Sequence, residues 1–348
     1  MIQSSFPYSK WIIKGLCLVF ILTLLSIGWV IGHSAATTHF QFDWHRFNLI
    51  ALLLACLGLV GSWIVEGIRV QCIAAGLGAS ISFRKVLGIN LATTFTGNIT
   101  PFNSGGVPTQ IFLLSKNGLQ PGKASAIVTI RVVFSTLLFT LLVPILMLFY
   151  RSRFTSGFMG QALNVAIPIA TLVSVILIAI IAKPNLASGL FALFYQPLSS
   201  VRCLTKLLPT LDKLKVEIED FHQAIREFRR GFHVYGVILC SFLYWLLFFS
   251  IAPCLMIALG IDTNHLFWEM VILQFLLVFV ISYLPAPGGS GVTELTLYSI
   301  LVFIPAHLRA LFIIFWRLLS YYMATVIGGI ILLKFVRRPI RPRAELPN

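Results

Sequence analysis

Asn98-Ile99-Thr100-Pro101-Phe102-Asn103-Ser104-Gly105-Gly106-Val107-Pro108 and Leu284-Pro285-Ala286-Pro287-Gly288-Gly289-Ser290-Gly291 are the two stretches that decide how this chain is built. Each interrupts an apolar segment, 87–115 and 267–304, that is otherwise long enough to span a bilayer. Proline lacks the amide donor and glycine is a poor helix former, so neither segment is one continuous helix. Broken backbone cannot face lipid, so each break has to be buried in protein or line a wet cavity. A kinked span or a surface loop would account for one such cluster. Two clusters in corresponding halves of the chain are harder to explain that way.

Around the breaks lie six uninterrupted apolar segments near the roughly 20 residues a crossing helix needs: 11–31, 47–70, 124–150, 160–182, 232–259 and 308–335. The bulk composition agrees. Of 348 residues, 58% are hydrophobic and 11% charged, with a mean hydropathy of +0.93. A soluble domain has about 25% charged residues, so the solvent for this surface has to be lipid. The run from Trp11 to Ile31 exceeds the roughly 7–15 residues of a signal-peptide core, which predicts an uncleaved first span.

The net charge of +15 does not point to nucleic acid, because the Lys and Arg residues flank apolar spans and form no basic domain. Suppose the N-terminus is cytoplasmic and both broken segments turn back as re-entrant hairpins. Twenty of the 26 basic residues then fall inside, four (Arg46, Arg151, Arg153, Arg309) outside, and Arg131 and Arg317 within spans. That asymmetry follows the positive-inside rule and places both termini in the cytoplasm of a multi-pass protein of the cytoplasmic (inner) membrane. Two full crossings per broken segment would preserve the same sidedness.

The fold expected is therefore an all-α polytopic membrane protein: six full transmembrane helices plus two re-entrant broken-helix hairpins arranged as an inverted repeat. Residues 1–150 form the first repeat, with its hairpin at 87–115. Residues 151–231 hold the span 160–182, which opens the second repeat, and a cytoplasmic amphipathic segment at 186–231. Its apolar stripe (Leu211, Leu214, Ile218, Phe221, Ile225, Phe228, Phe232) recurs at helical spacing and is expected to pack beneath the bundle or lie on the membrane surface. Residues 232–348 complete the second repeat, with its hairpin at 267–304, and end in a basic tail. Inverted repeats whose broken helices meet near the midplane are a transporter plan.

Ionisable groups inside spans are functional candidates because they are costly there. Glu66 and Arg69 share a face of the second span and read as a proton-coupling pair or a structural ion pair. Glu294 follows the second break and carries the same proton-coupling expectation, since a carboxyl can be neutral when buried and charged when hydrated. Arg131 and Arg317 follow the Gly-Gly pairs at offsets of 26 (from Gly105) and 29 (from Gly288). Each can hold a headgroup phosphate through a bidentate contact, or cap the free carbonyls of a broken hairpin. Gly105, Gly106, Gly288 and Gly289 let helices restart with N–H groups directed at a cavity, and Asn98, Asn103, Thr109 and Gln110 add neutral polar groups beside the first break.

At these residues the chain resembles the lysylphosphatidylglycerol synthase/flippase transmembrane family. The likeness rests on Pro101-Phe-x-x-Gly-Gly-x-Pro-x-Gln110 followed by Arg131, on Pro285-x-Pro-Gly-Gly-x-Gly-x-x-Glu294, and on Trp316-Arg317-x-x-x-Tyr321 with Gly328-Gly329. Members include the flippase domain of the multiple peptide resistance factor and stand-alone proteins implicated in moving hopanoids or glycolipids. The resemblance implies a flippase-like transporter that moves an anionic or glycosylated lipid across the cytoplasmic membrane, adds Tyr321 to the substrate-binding set, and makes membrane lipids the partners. It also suggests a homo-oligomer or an association with a lipid-modifying enzyme. Many members carry Glu after the first Gly-Gly and a basic residue three positions later, where this chain has Val107 and Gln110; Glu294 is retained.

The chain runs only a few residues past Arg343, so no soluble aminoacyl-transferase domain is expected. No P-loop, HExxH, CxxC or DxD pattern occurs, so no catalytic residue, cofactor or metal is expected, and the six cysteines read as ordinary buried thiols. Two rivals stay open. One is a membrane transferase using a lipid-linked donor, with Glu294 or Glu66 as acid/base. The other is a non-catalytic scaffold acting through the amphipathic helix.

Overall fold

A computed structural model describes residues 44–154, 157–182 and 231–337, apart from 262, 264, 265, 284 and 285, and a few isolated positions elsewhere. Most of the expected first span and of the amphipathic segment, together with the basic tail, lies outside the described residues.

Among the described residues the fold is helical throughout, with no strand. In chain order it comprises α1 (Leu49–Gly76), α2 (Phe83–Asn98), α3 (Gly106–Lys116), α4 (Pro121–Phe154), α5 (Gly157–Ala182), α6 (His233–Ala258), α7 (Phe267–Ile281), α8 (Val292–Ile300), α9 (Ala306–Arg317) and α10 (Met323–Arg337). A single π-helical turn, Leu318–Tyr322, joins α9 to α10 into one rod. Four described helices are long and apolar enough to cross a membrane: Leu49–Gly76, Pro121–Leu146, His233–Ala258 and Ala306–Arg337. The protein is thus a multi-pass membrane protein.

The surface is the reverse of a soluble one. Along α1, Leu49, Ile50, Leu53, Leu54, Leu57, Val60, Ile64 and Ile68 are exposed at helical spacing, while Ser62, Glu66 and Arg69 are buried. An apolar stripe outside and charge inside is stable only where the solvent is hydrocarbon. The most extensive packing joins α1 to α6, and the next joins α10 to α2. In the second of these contacts Gly328 is required, because a Cβ there would run into the carbonyl of Leu91 on α2. Small residues at such crossings let helix backbones approach within membranes. Phe228, a described member of the amphipathic stripe, is buried against Phe134 and the end of α1 at Gly76.

Both Pro/Gly clusters break the helix as their composition predicts, and the two breaks touch each other. Pro101–Asn103 and Pro287–Gly289 each form one 3₁₀ turn. Their backbones match: Phe102 has φ 55° and ψ 19°, and Gly288 has φ 56° and ψ 17°. Asn103 (φ 56°) and Gly289 (φ 66°) follow in the same left-handed region. Register is therefore set by the prolines rather than by the Gly-Gly pairs. Pro101 corresponds to Pro287, and Arg131 and Arg317 each lie thirty residues beyond their proline, replacing the unequal offsets counted from the glycines.

The arms around the breaks are short. α2 and α3 have 16 and 11 residues, and α7 and α8 have 15 and 9. The first pair folds back on itself as an antiparallel hairpin, with Gly106 beside Thr93 and Gly97 and Gln110 bonded to Asn90.

Candidate functional site

The second break is closed by a buried ion pair. Arg317 at the end of α9 and Glu294 in the first turn of α8 are 3% and 0% exposed. The Arg317 Nε donates to Glu294 Oε1 at 2.8 Å, and Nη2 donates to Oε2 at 3.1 Å. The same guanidinium donates to the carbonyls of Gly288 (3.2 Å) and Gly289 (3.1 Å). Glu294 Oε2 also accepts from the amide of Gly291, the N-cap of α8, at 2.8 Å, so that N–H is taken within the chain. Burying this much charge is tolerable only because almost every donor and acceptor is paired. The guanidinium also sits 5.0 Å from the Tyr321 ring centre. Arg317 thus caps the carbonyls of the broken hairpin, one of the two roles its position allowed.

The first break has the same backbone without the charge. Thr100 Oγ1 accepts from the Gly105 amide at 2.8 Å, and Asn98 Nδ2 donates to Thr325 Oγ1 at 2.8 Å. Gln110, fully buried, donates to Asn90 Oδ1 at 3.0 Å. Asn103 lies against Gly97, where a Cβ would collide with its side-chain oxygen. Tyr321 bridges the breaks: its hydroxyl donates to the Asn98 carbonyl at 2.9 Å, and its ring lies where a side chain on Gly288 would have to go. The π-helical turn displaces the helical register at this tyrosine, a deformation often met at functional sites.

Arg131 is not at the break. It points to Glu66 on α1, with Nη1 3.0 Å from Oε1. Glu66 is shared: Arg69 Nη2 lies 2.8 Å from Oε1 and 2.7 Å from Oε2, the first a hydrogen bond and the second a charge contact without hydrogen-bond alignment. Arg69 further donates to Ser135 (3.0 Å) and Ser241 (3.2 Å), and lies 5.4 Å from the Tyr244 ring centre. The continuation of α1 to Gly76 puts Arg69 two turns inside the helix, buried, rather than at its end. Two guanidiniums on one carboxylate leave this cluster with one excess positive charge. Arg131 is its more accessible member, with a side chain 22% exposed against 1% for Arg69.

Glu66 also lines a crevice of about 50 Å³ with Ser62, Asn90, Thr94, Tyr244 and Ser320 among the polar residues and Trp63 and Phe248 among the aromatic ones. The structure thus gathers Arg317, Glu294, Gly288, Gly289 and Tyr321 at one break. It gathers Asn98, Asn103, Gln110, Gly105 and Gly106 at the other, and Glu66, Arg69 and Arg131 in a separate cluster. Asn90, Ser135, Ser241, Tyr244 and Gln274 were not anticipated. Asn90 and Gln274 carried a signal, as amides within apolar runs, and Gln274 bridges the Phe249 carbonyl and the Trp316 indole. Ser135 and Ser241 carried none, because hydroxyls commonly bond back to their own helix, as Ser241 does to Val237.

Residues 12–328 match the family described as the lysylphosphatidylglycerol synthase TM region. A "UPF0104 membrane protein" of Archaeoglobus fulgidus is 26% identical over 300 residues, 82% of this chain and 86% of that protein. A second protein so described, from Pyrococcus horikoshii, is 24% identical over 308 residues, 83% of this chain and 87% of its own length. No solved structure matches.

Proposed function

The chain belongs to the lysylphosphatidylglycerol synthase TM-region family, and from that premise we propose that it is a flippase-like transporter that carries an anionic lipid across the cytoplasmic membrane. One observation carries the reading: an intramembrane cluster, Glu66–Arg69–Arg131, with an excess positive charge and an accessible guanidinium. Placing unbalanced charge in a bilayer is expensive. A lipid phosphate would balance it, and guanidinium is well suited to hold phosphate. Arg131 is the headgroup ligand on this reading, Glu66 is the counter-ion it exchanges, and the acyl chains remain in lipid.

The breaks supply the moving parts. Even the longest arm, α2, is about 24 Å long at 1.5 Å per residue, short of the roughly 30 Å hydrocarbon thickness. Re-entrant hairpins that meet inside the bilayer, between two inverted halves of three crossings each, account for arms of that length and for the matched turns. With the basic residues on the cytoplasmic side, both termini face the cytoplasm. No chemistry on the lipid is invoked; the protein acts by translocation.

The test is reconstitution into vesicles containing trace acyl-labelled phosphatidylglycerol or phosphatidylcholine, with transbilayer movement read by quenching from outside. Faster movement of the anionic lipid than in empty vesicles is expected. Equal rates with and without protein, for every lipid class tried, would remove the proposal.

A further inference from the structure

Phe102 is held where the backbone favours glycine. Among the described residues only Phe102 and Asn103 combine a side chain with a positive φ, 55° and 56°. The second break places Gly288 and Gly289 at the same two positions. A left-handed conformation costs a residue with a Cβ free energy that glycine avoids. Burial does not offset that cost, because Phe102 is 55% exposed. Strain of this kind persists mainly where it serves a function.

The two breaks also differ in how the turn is covered. At the second, the ring over the turn comes from another helix. Tyr321, thirty-four residues beyond Pro287, fills the space next to Gly288 and is tied by its hydroxyl to Asn98. Pro287, Gly289 and Ser290 are buried. The equivalent position in the first half is Ser135, which bonds to Arg69 instead. The first turn carries its ring itself, and Pro101, Phe102, Asn103 and Ser104 are all exposed. A phenyl ring is stable in hydrocarbon and costly in water, whereas turn backbone and a side-chain amide cannot be left facing lipid.

We propose that Phe102 is a specificity-determining gate: the first tip lies on a seam between lipid and the wet break, and the Phe102 ring, on the lipid side, closes that seam to headgroups. The proposal rests on the preceding reading of the chain as a lipid transporter. A headgroup that slides from the seam toward Arg131 has to push the ring out of hydrocarbon. The phosphate–guanidinium contact offsets that cost for an anionic lipid. A zwitterionic lipid, whose ammonium is repelled by Arg69 and Arg131, gains less.

The test uses vesicles carrying acyl-labelled phosphatidylcholine, with wild type, Phe102→Gly, Phe102→Ala and Phe102→Leu. Without the ring, this lipid should move at least about tenfold faster than with the wild type, the worth of re-exposing part of a phenyl ring to water. Phe102→Leu keeps an apolar side chain and should stay close to the wild type. Phe102→Ala and Phe102→Leu share the same backbone strain, so a difference between them reports the side chain, and Phe102→Ala carries the test if Phe102→Gly does not fold. Phosphatidylcholine movement at the wild-type rate in a folded Phe102→Ala protein, or equal movement by Phe102→Ala and Phe102→Leu, overturns the gate alone. If the wild type accelerates neither phosphatidylglycerol nor phosphatidylcholine, the transport reading falls and the gate falls with it.

Discussion

The two breaks have one backbone and two chemistries. Pro101-Phe102-Asn103 and Pro287-Gly288-Gly289 trace the same left-handed turn, each thirty residues before an arginine in a helix long and apolar enough to cross a membrane. In the second half that arginine returns to its own break and locks it through Glu294 and two carbonyls. In the first half the position equivalent to Glu294 is Pro108, and Arg131 turns instead to Glu66 on a different helix. One break is thus fixed by a buried ion pair. The other is held by neutral amides and hydroxyls, and its arginine is released for other work. The difference suggests a division of labour, with a rigid half that serves as frame and a lightly tied half that can move.

Substitutions can break the comparison or sharpen it. Arg317→Ala strands Glu294 without a partner in the core, and loss of one member of a buried pair costs about 3–5 kcal/mol. Thermal unfolding in a fixed detergent should fall sharply, and an unchanged midpoint would mean that the lock is not one. Gly288→Ala comes next. Its left-handed backbone disfavours a side chain by about 1–2 kcal/mol, and crowding against Tyr321 adds roughly 1–3 kcal/mol. Gln110→Ala, at the neutral break, should cost less than either, about 1–3 kcal/mol for the Asn90 oxygen left unpaired. If it costs as much as Arg317→Ala, the two breaks are equally locked and the proposed division fails.

The smallest effect has the opposite sign. Phe102 adopts a left-handed conformation and is 55% exposed. Phe102→Gly relieves about 1–2 kcal/mol of backbone strain against about 0.5–1 kcal/mol of added chain entropy. A net gain of no more than about 1.5 kcal/mol is expected. A clear loss of stability would show that the exposed ring has a partner of its own.

Much of this was legible in the sequence for simple reasons. Composition specifies the solvent, and Pro/Gly clusters inside apolar runs specify where helices stop, because both are local properties. Glu66, Arg69, Arg131, Glu294 and Arg317 stood out because charge is rare in such segments. The Glu66–Arg69 contact was legible from its three-residue spacing, but the longer-range pairings were not. Glu66 lies 65 residues from Arg131 and Glu294 lies 23 from Arg317, and nothing local says that one arginine stays with its break while the other leaves it. Aligning the breaks by Gly-Gly hid the register, because the element the turns share is a dihedral pattern that Phe102 and Gly288 adopt alike. Asn90 and the hydroxyls of the crevice acquire meaning only once α1, α2, α6 and the π-helical turn are side by side.

The central claim is that Arg131 receives a lipid phosphate, and Arg131→Gln tests it most directly. The substitution leaves the Glu66–Arg69 pair in place, so the fold should survive with a thermal midpoint near that of the wild type. In reconstituted vesicles, movement of labelled phosphatidylglycerol should fall at least about tenfold, the worth of a charge-assisted contact, while labelled phosphatidylcholine is unaffected. A folded Arg131→Gln protein that moves the anionic lipid at the wild-type rate would contradict the account.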